Sequence, residues 1–376
     1  MISCGEASGD LYAGALVSEL RKLDPSVRAF GFGGGALVGG GAELVGDYRG
    51  FAVTGLSEAV AVLPRSWRML RKLAARAESD RPDVFVAIDF PDFNFRLLPV
   101  MHRLGVPIVY YVSPQLWAWR PGRIATIAKY VSQMLVIFPF EAEIYERAGV
   151  PVEFVGHPLV DLAGASTARG PFLAGLGLDP SRPVVALLPG SRPNEVARIL
   201  PELVEAARGI ARRVDGVQFV VARAPALEDS AFAPLDVLDG TPAKVRVVAD
   251  AADDVLAACD VVVTASGTAT VQAAIHERPM VIVYRVSPLT YALGKRLVKV
   301  STYGMVNLIA GRPVVPELMQ EAFTASRVAD EVQSLLTDAD RARRMQQDLA
   351  DVRARLGRPG ASRRAAERVL SVAGRT

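Results

Sequence analysis

The sequence predicts an α/β protein with two domains, each built around a parallel β-sheet. Strand and helix signals alternate along all 376 residues, as they do when helices connect the strands of a sheet. Several short apolar runs are rich in β-branched residues and end in turns, which is typical of strands buried on both faces. The length is that of two average domains, and 51% of the residues are apolar, enough for two cores.

The first half supplies most of one such sheet. Strands are predicted at residues 1–4, 84–88, 108–112 and 133–137. A helix is predicted from Leu11 to Leu23, and a further strand ends in the glycine-rich residues 31–35. Residues 31–35 fit the GxGxxG spacing of dinucleotide sites poorly, and no helix is predicted directly after them.

The second half repeats the alternation. Strands are predicted at residues 184–188, 219–222, 245–248, 261–264 and 280–284. Residues 161–183 are rich in Gly, Ala and Pro and are interpreted as a linker. The predicted domains are therefore residues 1–160 and 184–338. A basic helical tail follows, residues 339–376, and we expect it to pack back across both halves.

Composition narrows the functional class. A net charge of +3 does not by itself indicate a nucleic-acid-binding protein. There is no apolar run of about 18 residues and no secretory signal pattern at the N-terminus. Cys4 and Cys259 lie far apart in the sequence and have no CxxC partners, so we interpret them as buried free thiols. Free thiols are typical of a reducing compartment, so we expect a cytoplasmic protein. His102, His157 and His276 are isolated, so no metal or cofactor is predicted.

Two strand ends of the first half carry polar and aromatic residues. They are Asp89, Asp92 and Asn94 after the strand at 84–88, and Ser113, Gln115, Trp117, Trp119 and Arg120 after the strand at 108–112. Ligands of parallel sheets bind outside the carboxyl ends of the strands, so this pattern predicts an active-site wall. The alternative is that the two aspartates only cap turns and the indoles pack beneath them.

Two turns of the second half are suited to phosphate. The first turn contains Gly190, Ser191 and Arg192 and lies between the strand at 184–188 and a helix. The second turn, residues 266–270, follows the strand at 261–264. Backbone N–H groups and the helix dipole favour an anion there, and an arginine can bind two phosphate oxygens at once. Either turn alone could be an ordinary helix cap. Together they predict a nucleotide diphosphate between them.

A basic amphipathic helix is predicted at residues 65–76. Trp67, Leu70 and Leu73 recur at spacings of three among Arg65, Arg68, Arg71, Lys72 and Arg76. Such a helix can lie on an anionic membrane, or it can be an ordinary surface helix. The family resemblance described next implies a lipid substrate. With such a substrate, membrane contact and an ordinary surface helix both remain open as interpretations.

Taken together, the motifs resemble those of the lipid-A-disaccharide synthases, bacterial glycosyltransferases that join two acylated glucosamines. The matching segments are residues 5–10 (Gly-Glu-Ala-Ser-Gly-Asp), 88–94, 111–115, 117–120, 138–141, 154–158, 188–192, 266–270, 307–312 and 316–317. They occur in the family's order, and the resemblance covers the chain from about residue 2 to about residue 325. Each is weak alone, but the ordered set is specific.

The resemblance implies a GT-B fold, with two Rossmann-like domains facing across a cleft and C-terminal helices packing back across it. The implied inverting reaction joins UDP-2,3-diacylglucosamine to 2,3-diacylglucosamine 1-phosphate (lipid X). Its products are a β-1,6-linked disaccharide 1-phosphate and UDP, and no metal or other cofactor is implied. We expect the protein to work at the inner face of the cytoplasmic membrane. A homodimer that exchanges the basic tail is a further expectation.

Residue roles follow from the resemblance. Asp92 is the candidate base for the acceptor 6-hydroxyl, with Asp89 as the alternative. Arg192 would neutralise the departing UDP. The implied donor-binding residues are Gly190, Ser191, Arg192, Ser266, Gly267, Thr268, Ala269, Thr270, Gln272, Asn307 and Glu317. The implied acceptor or cleft residues are Glu6, Ser8, Asp10, Asn94, Ser113, Gln115, Trp117, Trp119, Arg120 and His157.

One departure and two alternatives accompany this resemblance. The family usually has a glutamate for the ribose hydroxyls where this chain has Gln272, whose uncharged amide would bind a diol more weakly. One alternative is another UDP-sugar GT-B enzyme, a muramyl glycosyltransferase or a UDP-GlcNAc 2-epimerase. The indoles and the basic helix argue against the epimerase. The other is a noncatalytic UDP-sugar-binding or scaffold protein, and the presence of Asp89, Asp92 and Arg192 argues against it.

Overall fold

A computed structural model describes residues 1–49, 56–116, 121–238, 241–287 and 304–375, with backbone alone at 56–62 and 121. The chain divides into two compact units. The first contains the described residues up to Asp161 and those from Leu356 onward, and the second contains the described residues from Leu162 to Arg355.

The first unit is built on a parallel sheet of seven strands. They are β1 (Ile2–Cys4), β2 (Phe30–Gly33), β3 (Glu43–Asp47), β4 (Phe85–Ile88), β5 (Ile108–Tyr111), β6 (Gln133–Val136) and β7 (Val152–Phe154). The helices are α1 (Ala7–Leu23), α2 (Gly35–Gly39), α3 (Leu56–Asp80), α4 (Pro91–Arg103), α5 (Ile124–Tyr130), α6 (Pro139–Arg147) and α7 (Leu159–Leu162). A 3₁₀ turn, Pro121–Arg123, precedes α5. All four residues of β4 and of β5 are buried, so the prediction of strands covered on both faces is confirmed.

The second unit contains a parallel sheet of six strands. They are β8 (Val184–Leu188), β9 (Gln218–Arg223), β10 (Lys244–Ala249), β11 (Val261–Ala265), β12 (Met280–Tyr284) and β13 (Glu317–Met319). The helices are α8 (Arg169–Gly175), α9 (Pro193–Arg213), α10 (Ala252–Ala258), α11 (Thr268–Ile275), α12 (Met305–Ala310), α13 (Ala325–Thr337) and α14 (Ala339–Arg355). Two 3₁₀ segments are Asp229–Leu238 and Gln320–Ala322. Helix α9 buries Val196, Ile199, Leu200 and Leu203, the i, i+3, i+4, i+7 stripe of a helix packed on a sheet.

The two sheets share one strand order. The order is β3-β2-β1-β4-β5-β6-β7 in the first unit and β10-β9-β8-β11-β12-β13 in the second. In each sheet the strand order changes direction between two neighbouring strands. These strands are β1 and β4 in the first sheet and β8 and β11 in the second. Such reversals open a crevice at the carboxyl ends of the strands, where ligands of this sheet type bind.

A short helix that the sequence did not predict follows residues 31–35. The expectation of no helix there was wrong, because α2 begins at Gly35 and its cap comes from a distant residue. The Asp10 carboxylate accepts hydrogen bonds from the N–H groups of Gly34 (2.6 Å), Ala36 (2.9 Å) and Leu37 (3.1 Å). The short strands β3, β7 and β13 were also missed, since runs of three to five residues are too short to show a clear strand pattern.

The C-terminal segment is shared between the units. Helix α14 belongs to the second unit, and the last helix, α15 (Ala361–Val372), packs on α1 in the first. Both carboxylate oxygens of Asp161 accept the Gly360 N–H (2.7 and 2.9 Å), and one also accepts the Ala361 N–H (3.0 Å). The Arg364 guanidinium donates to the Val155 carbonyl at 2.9 Å. These bonds fix the start of α15 beside β7.

Two sequence expectations concern single features. Cys4 and Cys259 are buried free thiols, as predicted. In the described ranges, none of the helices has the length and apolar character needed to span a membrane.

Candidate active site

The carboxyl edge of the first sheet holds most of the predicted acceptor-side residues. Glu6 and Ser8 follow β1, Asp89 and Asp92 follow β4, and Gln115 follows β5. Because β1 and β4 flank the reversal of strand order, the first four lie at the switch point of this sheet. Glu6, Ser8 and Asp89 are half-buried, whereas Asp92 and Gln115 are exposed.

The turn after β4 has an unusual backbone. Asp89 has φ +40° and Phe90 has φ +49°, two consecutive non-glycine residues in the left-handed region. Val112, which follows β5, has φ +64°, although it is β-branched. The Phe90 ring lies directly over Gly5, where a Cβ atom would be 2.2 Å from the ring. Backbone conformations of this cost collect at functional sites, where surrounding contacts hold them in place.

Asp92 lies in the first turn of α4, where the helix dipole favours a negative charge. Its side chain is 66% exposed, and one carboxylate oxygen accepts a hydrogen bond from Arg123 Nη1 at 2.8 Å. The Arg123 guanidinium also lies over the Phe95 ring, 5.3 Å from its centroid. Arg123 was missed in the sequence because it lies 31 residues beyond Asp92, in a turn with no strand signal.

Besides His157, described below, three predicted acceptor-side residues face the protein interior. Asn94 is fully buried, and its amide bonds to Ser3 and to the Asp89 carbonyl. Asp10 is 5% exposed, and its carboxylate caps α2. The Ser113 hydroxyl lies 2.7 Å from that of Tyr145, and both groups are buried. These side chains therefore hold the edge of the sheet from beneath.

His157, which follows β7, is 2% exposed. Its Nδ1 accepts the Leu159 N–H at 3.2 Å, which leaves the proton of the neutral ring on Nε2. The ring packs against the rings of Tyr12 and Phe138, with centroids 5.9 and 5.3 Å away. Burial lowers the pKa of His157 to about 3. The imidazole is therefore a neutral packing group near physiological pH.

This burial predicts a pH dependence of stability. Between pH 6.5 and 3 the unfolded chain binds a proton at His157 that the folded chain does not. The stabilisation is therefore complete above pH 6.5 and is lost as pH falls. We expect a contribution of about 1.4 kcal/mol to be lost between pH 7.5 and 5.5 in urea unfolding. In His157→Gln, the free energy of unfolding should fall by about 1.4 kcal/mol less over this pH range than in the wild type. An equal fall in both proteins would show that His157 does not cause the pH dependence.

In the second unit, the first predicted anion turn is the loop between β8 and α9. Gly190 has φ +129°, and a Cβ there would lie 2.7 Å from Glu195 Cβ. The Ser191 N–H donates to Glu195 Oε2 at 3.2 Å, and Arg192 Nη1 donates to Oε1 at 3.4 Å. The Glu195 carboxylate thus engages the donors that a phosphate would use, as a glutamate at this helix position commonly does.

The second predicted anion turn lies beside the first. Strands β8 and β11 are adjacent and flank the strand-order reversal, so residues 266–270 and Gly190–Arg192 share one switch point. Gly267 has φ +154°, and Gly267 and Thr268 are exposed. Ala269 and Gln272 are half-buried, as is Ser266, whose N–H donates to Val283. Thr270 is fully buried, and its hydroxyl donates to the Gly267 carbonyl at 2.7 Å, which holds the turn closed.

Asn307 and Glu317 form a brace near the end of the second unit. The Asn307 amide nitrogen donates to the Val315 carbonyl (2.9 Å) and to Glu317 Oε1 (2.6 Å). Its oxygen accepts the N–H groups of Val314 and Val315. Asn307 is 2% exposed, so its amide forms these hydrogen bonds in the protein interior. Glu317 begins β13 and also accepts the Gly304 N–H at 3.0 Å.

Trp117, Trp119 and Arg120 lie outside the described residues. Within the described part of the chain, no group of three or more His, Cys, Asp or Glu side chains has the arrangement of a metal site.

Comparison with known proteins identifies relatives across the whole chain. The sequence matches the family described as Lipid-A-disaccharide synthetase over residues 1–372. It is 45% identical to the lipid-A-disaccharide synthase of Geobacter metallireducens over 100% of this chain and 97% of that protein. The corresponding synthase of Koribacter versatilis is 46% identical, over 100% of this chain and 98% of that protein.

Solved structures share the fold at low sequence identity. UDP-GlcNAc 2-epimerase from Neisseria meningitidis, bound to UDP-GlcNAc, is 11% identical with a TM-score of 0.69, over 98% of this chain and 99% of that chain. Acinetobacter baumannii MurG is 11% identical with a TM-score of 0.58, over 99% and 98%. With the two parallel sheets, these matches confirm the predicted fold class.

Proposed function

This chain belongs to the family of lipid-A-disaccharide synthases and is an enzyme of that kind; from this premise we propose its substrates and the roles of its residues. The donor is UDP-2,3-diacylglucosamine, and the acceptor is 2,3-diacylglucosamine 1-phosphate (lipid X). The products are the β-1,6-linked disaccharide 1-phosphate and UDP. The sequence relatives at 45% and 46% identity favour this reaction over those of an epimerase or a muramyl transferase, whose likeness is one of fold.

The observation that carries the donor assignment is the pairing of two anion turns at one switch point. Gly190–Arg192 and residues 266–270 follow neighbouring parallel strands, so the starts of α9 and α11 lie at the same edge of the sheet, beside its switch point. Arg192 adds a cation and Thr268 adds an exposed hydroxyl. A diphosphate fits this donor set. The sugar nucleotide would displace Glu195 from Ser191 and Arg192 as it binds.

The reaction then proceeds as a single displacement. A carboxylate accepts the proton of the acceptor 6-hydroxyl, and that oxygen attacks the anomeric carbon of the donor. The bond from this carbon to the diphosphate oxygen breaks on the opposite face, and UDP leaves with the bonding electron pair. Arg192 and the N–H groups of the two turns stabilise the charge that develops on UDP. Attack opposite the leaving group inverts the anomeric configuration.

Asp92 is the proposed base, and Asp89 is the alternative. Asp92 is supported by its exposed side chain and by its position in the first turn of α4, where the Arg123 guanidinium donates to one of its carboxylate oxygens. Asp89 is half-buried and follows β4 directly at the switch point, which keeps it as the second candidate. Asp10, Asn94, Ser113 and His157 support the acceptor side from the interior, as Thr270 and Asn307 support the donor side.

The activity is tested by UDP release from purified protein given UDP-2,3-diacylglucosamine, with and without lipid X. We expect UDP release that depends on lipid X, together with a disaccharide product. That result would also show that Gln272 serves in place of the usual glutamate. Donor binding without turnover would instead support a noncatalytic sugar-nucleotide-binding protein, and absence of binding would refute the donor assignment.

We further propose that helix α3 contacts an anionic membrane surface at the cytoplasmic face. Leu70 and Leu73 are buried in the core of the first unit, whereas Trp67 is 54% exposed and Leu63 is 41% exposed. The surrounding Arg65, Arg68 and Arg71 are exposed, and the Arg96 guanidinium lies 5.3 Å from the Trp67 ring centroid. Exposed apolar side chains among cations are typical of a helix that lies at a membrane interface.

We expect the protein to sediment with phosphatidylcholine vesicles that contain phosphatidylglycerol, and much less with phosphatidylcholine alone. The double substitution Leu63→Ser and Trp67→Ser should weaken this binding about tenfold, because both side chains would lose their apolar contact with lipid. The matched control is the double substitution Val237→Ser and Val247→Ser. These two side chains are also apolar and exposed, at 49% and 42%, but they lie in the second unit. Equal loss in both double variants, or no binding by the wild type, would contradict the proposal.

A further inference from the structure

The Asp89 carbonyl is held by two buried side chains from different elements. The Tyr110 hydroxyl, on β5, donates to it at 2.8 Å, and Asn94 Nδ2, on α4, also donates at 2.8 Å. A third residue orients the amide, because Ser3 Oγ, on β1, donates to Asn94 Oδ1 at 2.6 Å. All three side chains are fully buried. We call Ser3, Asn94 and Tyr110 the carbonyl bracket.

The bracket holds a turn with two consecutive non-glycine residues of positive φ. Asp89 and Phe90 both lie in the left-handed region, which is sterically unfavourable for a non-glycine residue. Buried hydrogen bonds to the carbonyl between them offset that cost and select this conformation over an ordinary strand-to-helix turn. The conformation sets where the Asp89 side chain points and where α4 begins. Asp92 is the second residue of α4, so its position depends on the same turn.

We infer that Tyr110, Asn94 and Ser3 are positioning residues for the glycosyl transfer, acting through the backbone of the Asp89–Phe90 turn. This inference rests on the proposed function, because it concerns the alignment of the Asp92 and Asp89 carboxylates with the acceptor hydroxyl. The bracket side chains are buried and do not touch substrate. Loss of one bracket bond therefore alters the geometry of the base while substrate contacts are retained.

The test compares two adjacent tyrosines. Tyr110→Phe removes the bracket hydroxyl and keeps the ring. Tyr111→Phe is the matched control, because it removes an equally buried hydroxyl from the opposite face of the same strand. We expect Tyr110→Phe to lower kcat about tenfold, with KM for donor and acceptor within about twofold of the wild type. Tyr111→Phe should leave kcat near the wild-type value. Equal kcat in the two variants, or a KM effect alone, would overturn the inference.

A second variant and a second readout keep the test decisive. Ser3→Ala removes only the bond that orients Asn94, and it should lower kcat in the same direction by a smaller factor. Hydrogen exchange of the peptide covering residues 88–94 should be faster in Tyr110→Phe than in Tyr111→Phe. If the wild type shows no acceptor-dependent UDP release, the proposed function fails. The exchange comparison still decides whether the bracket holds the turn, and equal exchange in the two variants would refute it.

Discussion

Replacing Asp92 with asparagine is expected to lower kcat about 10³-fold, within the range that a positioned general base contributes. Asparagine preserves the shape of the side chain and a hydrogen bond to Arg123, but it cannot accept the acceptor proton. The Asp92 side chain is 66% exposed, and its ion pair with Arg123 lies at the surface, so folding should be nearly unaffected. UDP binding should also be unchanged, because the proposed donor contacts lie in the second unit.

The matched control is Asp83→Asn. Asp83 is another exposed aspartate of the first unit, and it pairs with Arg375 at 3.0 Å, much as Asp92 pairs with Arg123. We expect this control to retain wild-type kcat. Asp89→Asn, measured in parallel, separates the two candidates. Normal turnover in Asp92→Asn with loss in Asp89→Asn would transfer the role of base to Asp89, and normal turnover in both would remove the carboxylate mechanism.

Replacing Arg192 with alanine is expected to reduce kcat/KM for the UDP-sugar by 10²- to 10³-fold, about 3–4 kcal/mol of transition-state stabilisation. Arg192 is the N-cap residue of α9, its guanidinium donates to the Glu195 carboxylate, and it places a cation in the β8–α9 loop where the diphosphate is proposed to bind. Without it, charge would develop on the departing UDP with backbone N–H groups as its main partners. Arg192→Lys should recover part of the loss, since it keeps the charge but not the two-pronged geometry.

Arg208→Ala is the control for Arg192→Ala. Arg208 lies on the same helix and also pairs with a glutamate three residues away, with a similar side-chain exposure of 33% against 31%. Steady-state kinetics with varied donor, and UDP titration by calorimetry, measure both variants. Similar losses in the two would indicate a general effect on α9. Wild-type kcat/KM in Arg192→Ala would show that the backbone N–H groups alone hold the diphosphate.

Local sequence pattern was sufficient for most strands. The runs around β4, β5, β8 and β11 are apolar, β-branched and bounded by turns, so the information that makes them strands lies within a few residues. The same locality placed Asp89, Asp92 and Gly190–Arg192 after strands, and therefore at sheet edges. Pattern failed for α2, because its cap, Asp10, is more than twenty residues away, and for the shortest strands.

The fold class, the location of the polar residues after strands, and the family all follow from the amino-acid sequence. Which of those residues face solvent became clear from the packing of the folded chain. Asn94 and Asp92 are two residues apart on one helix, yet Asn94 is fully buried beneath the turn while Asp92 is exposed beside Arg123. The pairing of the two anion turns and the carbonyl bracket also required the structure. Each depends on which strands lie side by side, and strand order is set by contacts between residues far apart in the chain.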